Sequence, residues 1–250
     1  MRLLLFAMCW VATMRAADRP ELTIPMTQAS AAWPAESAWE TAARIPALSP
    51  PLNAAPEGEE QTTVRLLWTR DHLFVRFTCR EGTPVNLDAT PTAERPLHVA
   101  DCVEIFLDPV GDGRVFAELQ FDSQGRSFDA LHVYSAEPVA NEDFTIHEDV
   151  IRRESWFFPE WTLPGMRVEA RAIAPGWEVT VALPASPLLK RLGRTTFETG
   201  EELRANFLRL DYSAASGKPR ITNWAPVVFG RAHRSPAGMG RLVLAGPGNP

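Results

Sequence analysis

The feature that most constrains the fold of this chain is an alternation of apolar and polar residues that recurs along most of its length. A period of two puts successive side chains on opposite faces of the backbone, so each such segment predicts a half-buried β-strand. The segments lie at residues 64–68, 73–77, 103–107, 117–121, 166–170 and 177–181. Residues that favour tight turns stand between them, for example Pro175 and Gly176. The pattern predicts an all-β chain.

The predicted strands recur at short intervals without a low-complexity linker. This favours one antiparallel, jelly-roll-like β-sandwich over a string of modules, and 250 residues suit one large β domain. Few helices are expected, and both are short, over residues 36–43 and 186–192. The proline-rich stretch 45–60 is interpreted as a long loop, and residues 246–250 are interpreted as a disordered tail.

The first residues have the pattern of a secretory signal peptide. Arg2 supplies the positive start, an apolar run follows it, and Ala16 and Ala17 are small residues suited to cleavage. That run is too short for a bilayer, and no later segment reaches the ~18 apolar residues of a transmembrane helix. We therefore expect a signal peptide at 1–17, no membrane insertion after cleavage, and a secreted or periplasmic domain at 18–250.

Charge and cysteine content narrow the partners. The formal net charge of −6 gives no reason to expect a nucleic-acid partner, because phosphate binding needs a basic surface. Alternation places Cys79 with the apolar residues of its strand and Cys102 with Glu104, so the two thiols are expected on opposite faces. That argues against a disulfide and favours two small buried thiols. Their spacing fits no zinc site.

The order and spacing of five segments carry a family resemblance. These are residues 64–75, 101–109 (DCVEIFLDP), 176–184 (GWEVTVALP), 204–209 (RANFLR) and the stretch from Phe229 to Leu242. Together they resemble the family 9 carbohydrate-binding modules and their wider relatives in extracellular bacterial proteins, over about residues 30–244. The resemblance implies a jelly-roll β-sandwich that binds sugar on a concave face or at its rim without cleaving it. It also implies structural calcium in some members.

Alternation also predicts a polar sheet face. If the apolar residues of these strands face the core, Glu104, Glu118 and Gln120 face away from it. By the same reasoning Arg209 and Asp211 join that face if their strand is a neighbour. Carboxylate, amide and guanidinium groups bind sugar hydroxyls, so Glu104, Gln120, Arg209 and Asp211 are candidate ligand-binding residues. The alternative is a solvated outer face that carries charges.

The family's ligand residues carry over only in part. In its sugar-binding members two tryptophans clamp a terminal sugar. The resemblance places His98 and His233 of this chain at those two positions. Glu104 and Asp211 match acidic ligand residues, whereas Gln120 stands where an arginine is expected. The resemblance therefore implies an altered site, with both histidines as candidate ligand-binding residues.

Other aromatic residues are candidates to replace the clamp. Trp156, Phe157, Phe158 and Trp161 lie in a segment with little strand periodicity. They form either a platform on a loop or a cap on one end of the sandwich. Trp224 lies in a loop-like context, NWAP, and is the preferred ligand-binding aromatic residue.

These observations predict an exported, non-catalytic carbohydrate-binding protein that assists polysaccharide degradation. Its expected ligand is an oligosaccharide or polysaccharide, and a separate glycoside hydrolase is an expected companion. Glu104 and Asp211 are a conceivable pair of carboxylates for glycoside hydrolysis. The chain has no nucleophile elbow, phosphate-binding glycine loop or HExxH motif, so no catalytic residue is predicted.

Two cofactors are considered. Asp108 and Asp112 offer hard oxygen ligands that suit calcium, although a plain hairpin turn explains the same residues. The alternative function is that of a heme-binding, cytochrome-like domain of an exported electron-transfer system, as in related sandwiches. Its iron ligands would come from His98, His233, Met166 and Met239.

Overall fold

Two β-sheets stacked face to face form the fold, as the alternation predicts. The computed structural model describes residues 19–28, 33–49, 62–82, 84–87, 96–134, 155–212, 219–227, 232–234 and 236–247. The strands in those ranges are β1 (Glu21–Ile24), β2 (Ala43–Ile45), β3 (Thr62–Trp68), β4 (His72–Cys79), β5 (Cys102–Asp108), β6 (Val115–Phe121), β7 (Ser127–Tyr134), β8 (Ser155–Phe158), β9 (Arg167–Ile173), β10 (Gly176–Pro184), β11 (Glu202–Asp211), β12 (Arg220–Asn223) and β13 (Gly240–Leu244).

An eight-stranded sheet and a five-stranded sheet make the two layers. The first has the order β1-β13-β11-β5-β6-β7-β8, with β12 beside the second half of β11. The second has the order β2-β3-β4-β10-β9. Strands β1 and β13 run parallel, and the other pairs in the described ranges are antiparallel. The predicted all-β sandwich is confirmed.

The main core lies between the two sheets. Trp68 and Trp177 are almost completely buried there, and the Phe77 and Phe207 rings meet edge to face with centroids 6.0 Å apart. Each large side chain buried in this way contributes about 1.5–3 kcal/mol to folding. The inward residues of the predicted strands are therefore the main source of stability.

A second apolar cluster covers the opposite side of the eight-stranded sheet, which we call the outer face. Phe106, Phe116 and Phe128 belong to it, with Leu208 and Leu210 from β11. All five are at most 6% exposed. The expectation of a solvated outer face is therefore wrong, and polar residues on this face lie among apolar ones.

The helical segments are short and close to where the sequence predicts them. A 3-10 turn spans Glu36–Glu40, shorter than the predicted 36–43. The single α-helical turn α1 (Ala185–Leu188) and the 3-10 turn Lys190–Leu192 together replace the predicted helix at 186–192.

The turn between β9 and β10 needs glycine, as its predicted Pro-Gly sequence suggests. Gly176 has a φ of +118°, and a Cβ atom on it would lie 2.0 Å from the Cys79 carbonyl oxygen. Any larger residue would push β10 away from the end of β4.

The two cysteines are free, as their predicted faces indicate. Cys79 belongs to the core between the sheets, and Cys102 belongs to the outer-face cluster. Burial raises the pKa of the Cys79 thiol to about 11, so this thiol is neutral at physiological pH.

Several sequence predictions concern residues outside the described ranges. They include the signal peptide at 1–17, most of the loop 45–60, Phe229, and the last residues of the tail. Within the part of the chain that is described, no helix is long and apolar enough to cross a membrane.

Candidate functional site

Glu104, Glu118 and Gln120 lie together on the outer face, as predicted. Glu104 on β5 is directly opposite Gln120 on β6, and Glu118 precedes Gln120 by two residues. Residues opposite each other, or two apart on one strand, point to the same side of a sheet. All three side chains are at most 8% exposed, so they form the floor of a site rather than a solvated surface.

Gln120 is the centre of a hydrogen-bond network. Its Oε1 accepts hydrogen bonds from the backbone N–H groups of Leu97 at 2.6 Å and His98 at 3.2 Å. Its Nε2 donates to Oε1 of Glu118 at 2.7 Å and to Oε1 of Glu104 at 3.1 Å. Because protein atoms occupy both ends of the amide and the side chain is fully buried, Gln120 positions the site and does not face a ligand.

His132 on β7 extends this network into a stack of rings. Its Nε2 lies 2.6 Å from Oε2 of Glu118, which accepts a hydrogen bond from the Nε2–H tautomer. The His132 ring is nearly parallel to those of Phe116 and His233, at centroid distances of 4.9 and 5.6 Å. Phe157 on β8 lies 4.9 Å from it. The stack joins three strands and the turn that carries His233.

Two tyrosines hold the histidine-bearing turns over the sheet. The Tyr134 hydroxyl donates to the His233 carbonyl at 2.6 Å, and the Tyr212 hydroxyl donates to the His98 carbonyl at 2.8 Å. His98 is exposed, and Phe157 is 48% exposed. Both predicted histidines therefore lie beside the Glu104 floor, as the resemblance implies.

We call this arrangement the outer-face site. Its floor consists of Glu104, Glu118, Gln120 and His132, and its rim consists of His98, Phe157 and His233. The sequence prediction did not include His132, and it named Phe157 only as one of four aromatic candidates to replace the clamp. The alternation of β7 is clear only over SFDA and is lost from Leu131 onward, and a period of two from Phe128 puts His132 on the face of Phe128.

The pKa values of the two carboxyl groups in the floor are shifted in opposite directions. Burial, with the charge of Glu118 nearby, raises the pKa of Glu104 well above its ordinary range. Burial also acts to raise the pKa of Glu118, but the hydrogen bond and charge of His132 outweigh it and lower that pKa. Glu118 therefore accepts hydrogen bonds as a carboxylate, whereas a protonated Glu104 both donates and accepts.

Replacing Glu104 with glutamine is expected to stabilise the protein at neutral pH. The folded-state pKa of Glu104 is raised, so its ionisation favours the unfolded chain as pH rises above the ordinary value of 4.5. We expect no difference in melting temperature between wild type and Glu104→Gln near pH 4. At pH 7 we expect a gain of about 1 kcal/mol, roughly 2–4 °C for a domain of this size.

Melting curves at several pH values check this prediction. The control is Glu202→Gln, the same change at a side chain that is 55% exposed. A Glu104→Gln variant that is less stable than wild type at pH 7 would contradict the raised pKa.

The predicted placement of Arg209 and Asp211 on the outer face is wrong. Across the ladder of β11 and β5, Leu208 is opposite Glu104 and Arg209 is opposite Val103, whose side chain lies in the main core. Arg209 and Asp211 therefore point toward the other sheet, at one end of the sandwich. The sequence indicates the alternation along β11 correctly, but only its earlier apolar residues, such as Phe207, face the main core, whereas Leu208 and Leu210 at its end face outward.

At that end of the sandwich, Arg209 is 4% exposed and forms an ion pair with Glu81. Its Cζ lies 4.9 Å from the centre of the Trp177 ring, and the indole N–H of Trp177 donates to the same Glu81 oxygen at 2.7 Å. Burial raises the pKa of Glu81, an effect that the charge of Arg209 opposes.

Three buried carboxylates meet beside Arg209. One oxygen each from Glu81, Asp101 and Asp211 lies within 4.8 Å of the others. Oε2 of Glu81 is buried and has no hydrogen-bond partner among the described residues. Calcium binds oxygen ligands at about 2.3–2.6 Å, so two ligands of one ion can be up to roughly 5 Å apart. This donor set, which we call the carboxylate triad, offers Oε2 of Glu81 to a calcium ion, whereas the two oxygens of Asp101 already accept backbone N–H groups, from Tyr212 at 2.6 Å and from Asn86 at 2.7 Å.

The calcium ligands suggested by the sequence fit less well. Oδ1 of Asp108 accepts the N–H groups of Val110 and Gly111, and Oδ2 accepts that of Gly113 at 2.7 Å. Asp112 accepts the N–H of Arg114 and pairs with Arg191. N–H groups directed at these oxygens oppose a cation, and the hairpin-turn alternative accounts for the contacts.

Trp224 does not face the outer-face site, contrary to expectation. Its ring packs against Phe207 of the main core at a centroid distance of 5.6 Å. It also lies where a Cβ atom on Gly240 would come within 2.6 Å of it. The indole therefore fills space between the sheets and the turn before β13.

Trp156, Phe157 and Phe158 form β8, an edge strand, rather than a loop or an end cap, whereas Trp161 packs against the main core. Trp156 and Phe158 are opposite Val133 and Leu131, and Phe157 is opposite His132. Phe157 therefore lies on the outer face, and Trp156 lies on the other side of the strand at a similar exposure of 50%.

One of the four heme ligands suggested by the sequence, Met166, lies apart from the others. Met239 is buried in the outer-face cluster, whereas Met166 packs against the main core. Met166 is therefore on the wrong side of the sheet to share an iron with His98 or His233.

Solved structures of known proteins have the same fold as this chain. No protein-family model matches the sequence, and no curated protein matches it significantly. A Bacteroides uniformis protein, provisionally described as carbohydrate-binding, matches with a TM-score of 0.66 and 16% identity, over 90% of this chain and 99% of that one. A family 9 carbohydrate-binding module from Caldicellulosiruptor kristjanssonii in complex with cellotriose matches with a TM-score of 0.59 and 14% identity, over 92% and 100%.

A family 9 module from the same organism in complex with glucose matches with a TM-score of 0.55 and 14% identity, over 92% of this chain and 98% of that one. These likenesses extend over nearly the whole chain and agree with the two-sheet architecture described above. The chain therefore has the β-sandwich fold of the family 9 carbohydrate-binding modules.

Proposed function

We propose that this protein binds carbohydrate at the outer-face site without cleaving it. The observation that carries the proposal is the buried network of Glu104, Gln120, Glu118 and His132 beneath an exposed aromatic ring. Sugar recognition needs both components, because hydroxyl groups require fixed polar partners and the C–H face of a sugar ring packs on an aromatic face. The binding of cellotriose and glucose by modules of this fold supports the same function.

Each part of the site has a role in this proposal. The Glu104 carboxyl is the floor group that exchanges hydrogen bonds with a hydroxyl, and Gln120 and Glu118 fix its orientation. Phe157 stacks on the sugar in place of a tryptophan. The imidazoles of His98 and His233 supply further hydrogen-bonding groups at the rim. Binding needs no bond cleavage, which agrees with a non-catalytic role.

Calorimetric titration of the mature chain with glucose, cello-, xylo-, galacto- and pectin-derived oligosaccharides tests the proposal. We expect saturable binding of at least one sugar class, with affinities in the millimolar to micromolar range, and a loss of about tenfold or more in Phe157→Ala. Trp156→Ala is the matched control, because that ring is equally exposed on the other side of β8. Equal losses in both variants, or no binding to any sugar, would refute the proposal.

We also propose that the protein is exported and acts in polysaccharide degradation beside a separate glycoside hydrolase. The signal-peptide pattern of residues 1–17 supports export. A non-catalytic sugar-binding protein needs a partner enzyme if its ligand is to be degraded. Amino-terminal sequencing of the secreted or periplasmic protein tests cleavage near residue 17.

We propose further that the carboxylate triad binds calcium. The two charges of an ion there, with that of Arg209, would balance the three carboxylates, and the ion would tie the ends of three elements together. At a calcium concentration of 100 times Kd, binding adds about 2.7 kcal/mol, and we expect melting about 5–10 °C higher than in chelator. The calcium effect should be lost in Asp211→Asn and kept in Asp112→Asn. The opposite result would assign the ion to the Asp108 turn.

A further inference from the structure

A cavity lies on the far side of the molecule from the outer-face site, on the outside of the five-stranded sheet. It has a volume of about 220 Å³ and lies between the turn Glu36–Glu40 and strands β9 and β10. Pockets for drug-sized ligands measure about 300–1,000 Å³, so this one suits a single ring. Trp33 and Trp39 line it from the side of the turn. We call it the turn pocket.

Arg76 forms the base of the turn pocket. This side chain is 9% exposed and stacks on Trp39, with its Cζ 4.2 Å from the ring centre. Its two terminal nitrogens donate to the two oxygens of Glu36 at 2.7 and 2.9 Å, and its Nε donates to the Thr180 hydroxyl at 3.1 Å. The guanidinium is thus held in one orientation from three sides.

Carboxylate groups surround Arg76 from the turn and from the sheet. Glu178 accepts a hydrogen bond from the Thr78 hydroxyl at 3.1 Å and pairs with Arg171 at 2.6 Å. Glu169 on β9 is exposed and lines the same pocket. The side chain of Glu36 is 67% exposed, so its carboxylate can accept hydrogen bonds beyond those from Arg76. The pocket therefore presents fixed acceptor groups next to two indole rings.

The charges around the pocket favour a neutral ligand. Glu36, Glu169 and Glu178 in the described lining oppose Arg76 and Arg171, and Arg167 lies beside them with its Cζ 5.1 Å from the centre of the Trp33 ring. These guanidinium groups are already paired or stacked, so the exposed carboxylates of Glu36 and Glu169 repel an anionic sugar and accept hydrogen bonds from the hydroxyl groups of a neutral one. We propose that the turn pocket is a second carbohydrate site, which takes one neutral pyranose unit.

The Arg76 to Glu36 contact also fastens the turn to the sheet. That role alone requires only the ion pair, and it explains neither the open volume beside the pair nor the exposed Glu169. A pocket that only fastens the turn would bind no sugar, so glucose would then not shift the Trp33 indole signal.

Protein-detected NMR on the full mature chain tests the proposal, with glucose as the neutral probe and galacturonate as its anionic counterpart. The indole N–H signal of Trp33 reports on the turn pocket, and the backbone N–H signal of His98 reports on the outer-face site. We expect glucose to shift the Trp33 signal saturably and galacturonate to bind there at least about tenfold more weakly.

Variants separate the two sites. Glu169→Gln should weaken glucose binding in the turn pocket about tenfold, and because Glu169 is exposed this variant should fold normally. Glu40→Gln on the same turn, outside the pocket lining, should not change it. Glu104→Gln should leave the Trp33 response within about twofold of wild type, because it lies on the other sheet.

The outcomes distinguish this proposal from the proposed function. A glucose response at His98 with none at Trp33 would overturn the second site and leave the outer-face site intact. A response at Trp33 alone would support the second site and count against the outer-face site. Silence at both signals, or equal binding of galacturonate at Trp33, would overturn the second site.

Discussion

Replacing Arg209 with methionine is expected to destabilise the protein by about 3–5 kcal/mol, the largest loss we predict for removing a single charge. Methionine keeps most of the apolar stem that packs near Trp177, so the loss reflects the missing charge. Without the guanidinium, Glu81 loses its ion-pair partner and remains buried beside Asp101 and Asp211. A buried carboxylate group without compensation is costly in a low-dielectric interior.

Urea unfolding in the presence of a chelator measures this loss without a contribution from calcium. Arg241→Met is the control, because Arg241 pairs with Glu21 and Glu202 at the surface, where such pairs contribute at most about 1 kcal/mol. The deficit of Arg209→Met should shrink as pH falls and Glu81, whose pKa is raised by burial, becomes protonated. A loss no greater than that of Arg241→Met, or one independent of pH, would contradict this account.

The fold could be predicted because its main determinant is local. Alternation over five to seven residues indicates both a strand and the face that it buries, and the main core uses those faces. Strand β8 could not be predicted in this way, because it lacks alternation. Three large aromatic residues follow one another there in the order Trp156, Phe157, Phe158. Such an edge strand leaves all three partly exposed, and its pattern carries no contrast between faces.

The outer-face site could be predicted only in part. Glu104, Glu118 and Gln120 were placed correctly because one rule, apolar residues inward, holds for β5 and β6. The rule holds for β11 as far as Phe207 and fails at the end of the strand, where Arg209 points inward because Glu81 and the Trp177 ring compensate its charge. Leu208 points outward because the outer face has an apolar cluster of its own.

The remaining contacts join distant parts of the chain. His132 and His233 stack although 101 positions separate them, and Tyr134 contacts the same turn. No local pattern reports such a pairing, because it depends on how the turn before β13 lies over β7. The histidines were recognised through the family resemblance, which indicates position but not the partner ring.

Replacing Gln120 with leucine is expected to reduce sugar affinity by more than about tenfold and stability by about 2–4 kcal/mol. The substitution keeps the volume but removes all four hydrogen bonds of the amide. The backbone N–H groups of Leu97 and His98 lose their acceptor, so the turn that holds His98 over the floor is no longer fixed. Gln124→Leu is the control for stability, because Gln124 is exposed in the turn between β6 and β7.

A charged replacement separates the positioning role from simple packing. Glutamate at position 120 keeps an acceptor for the Leu97 N–H group but adds a third carboxyl group beside Glu104 and Glu118. Gln120→Glu should therefore bind sugar poorly at pH 7 and recover much of the wild-type affinity near pH 5, where the added carboxyl group is protonated. Titrations at the two pH values measure this. If Gln120→Glu bound sugar equally well at both, the amide would act through its shape alone, and the hydrogen-bond network would not control the site.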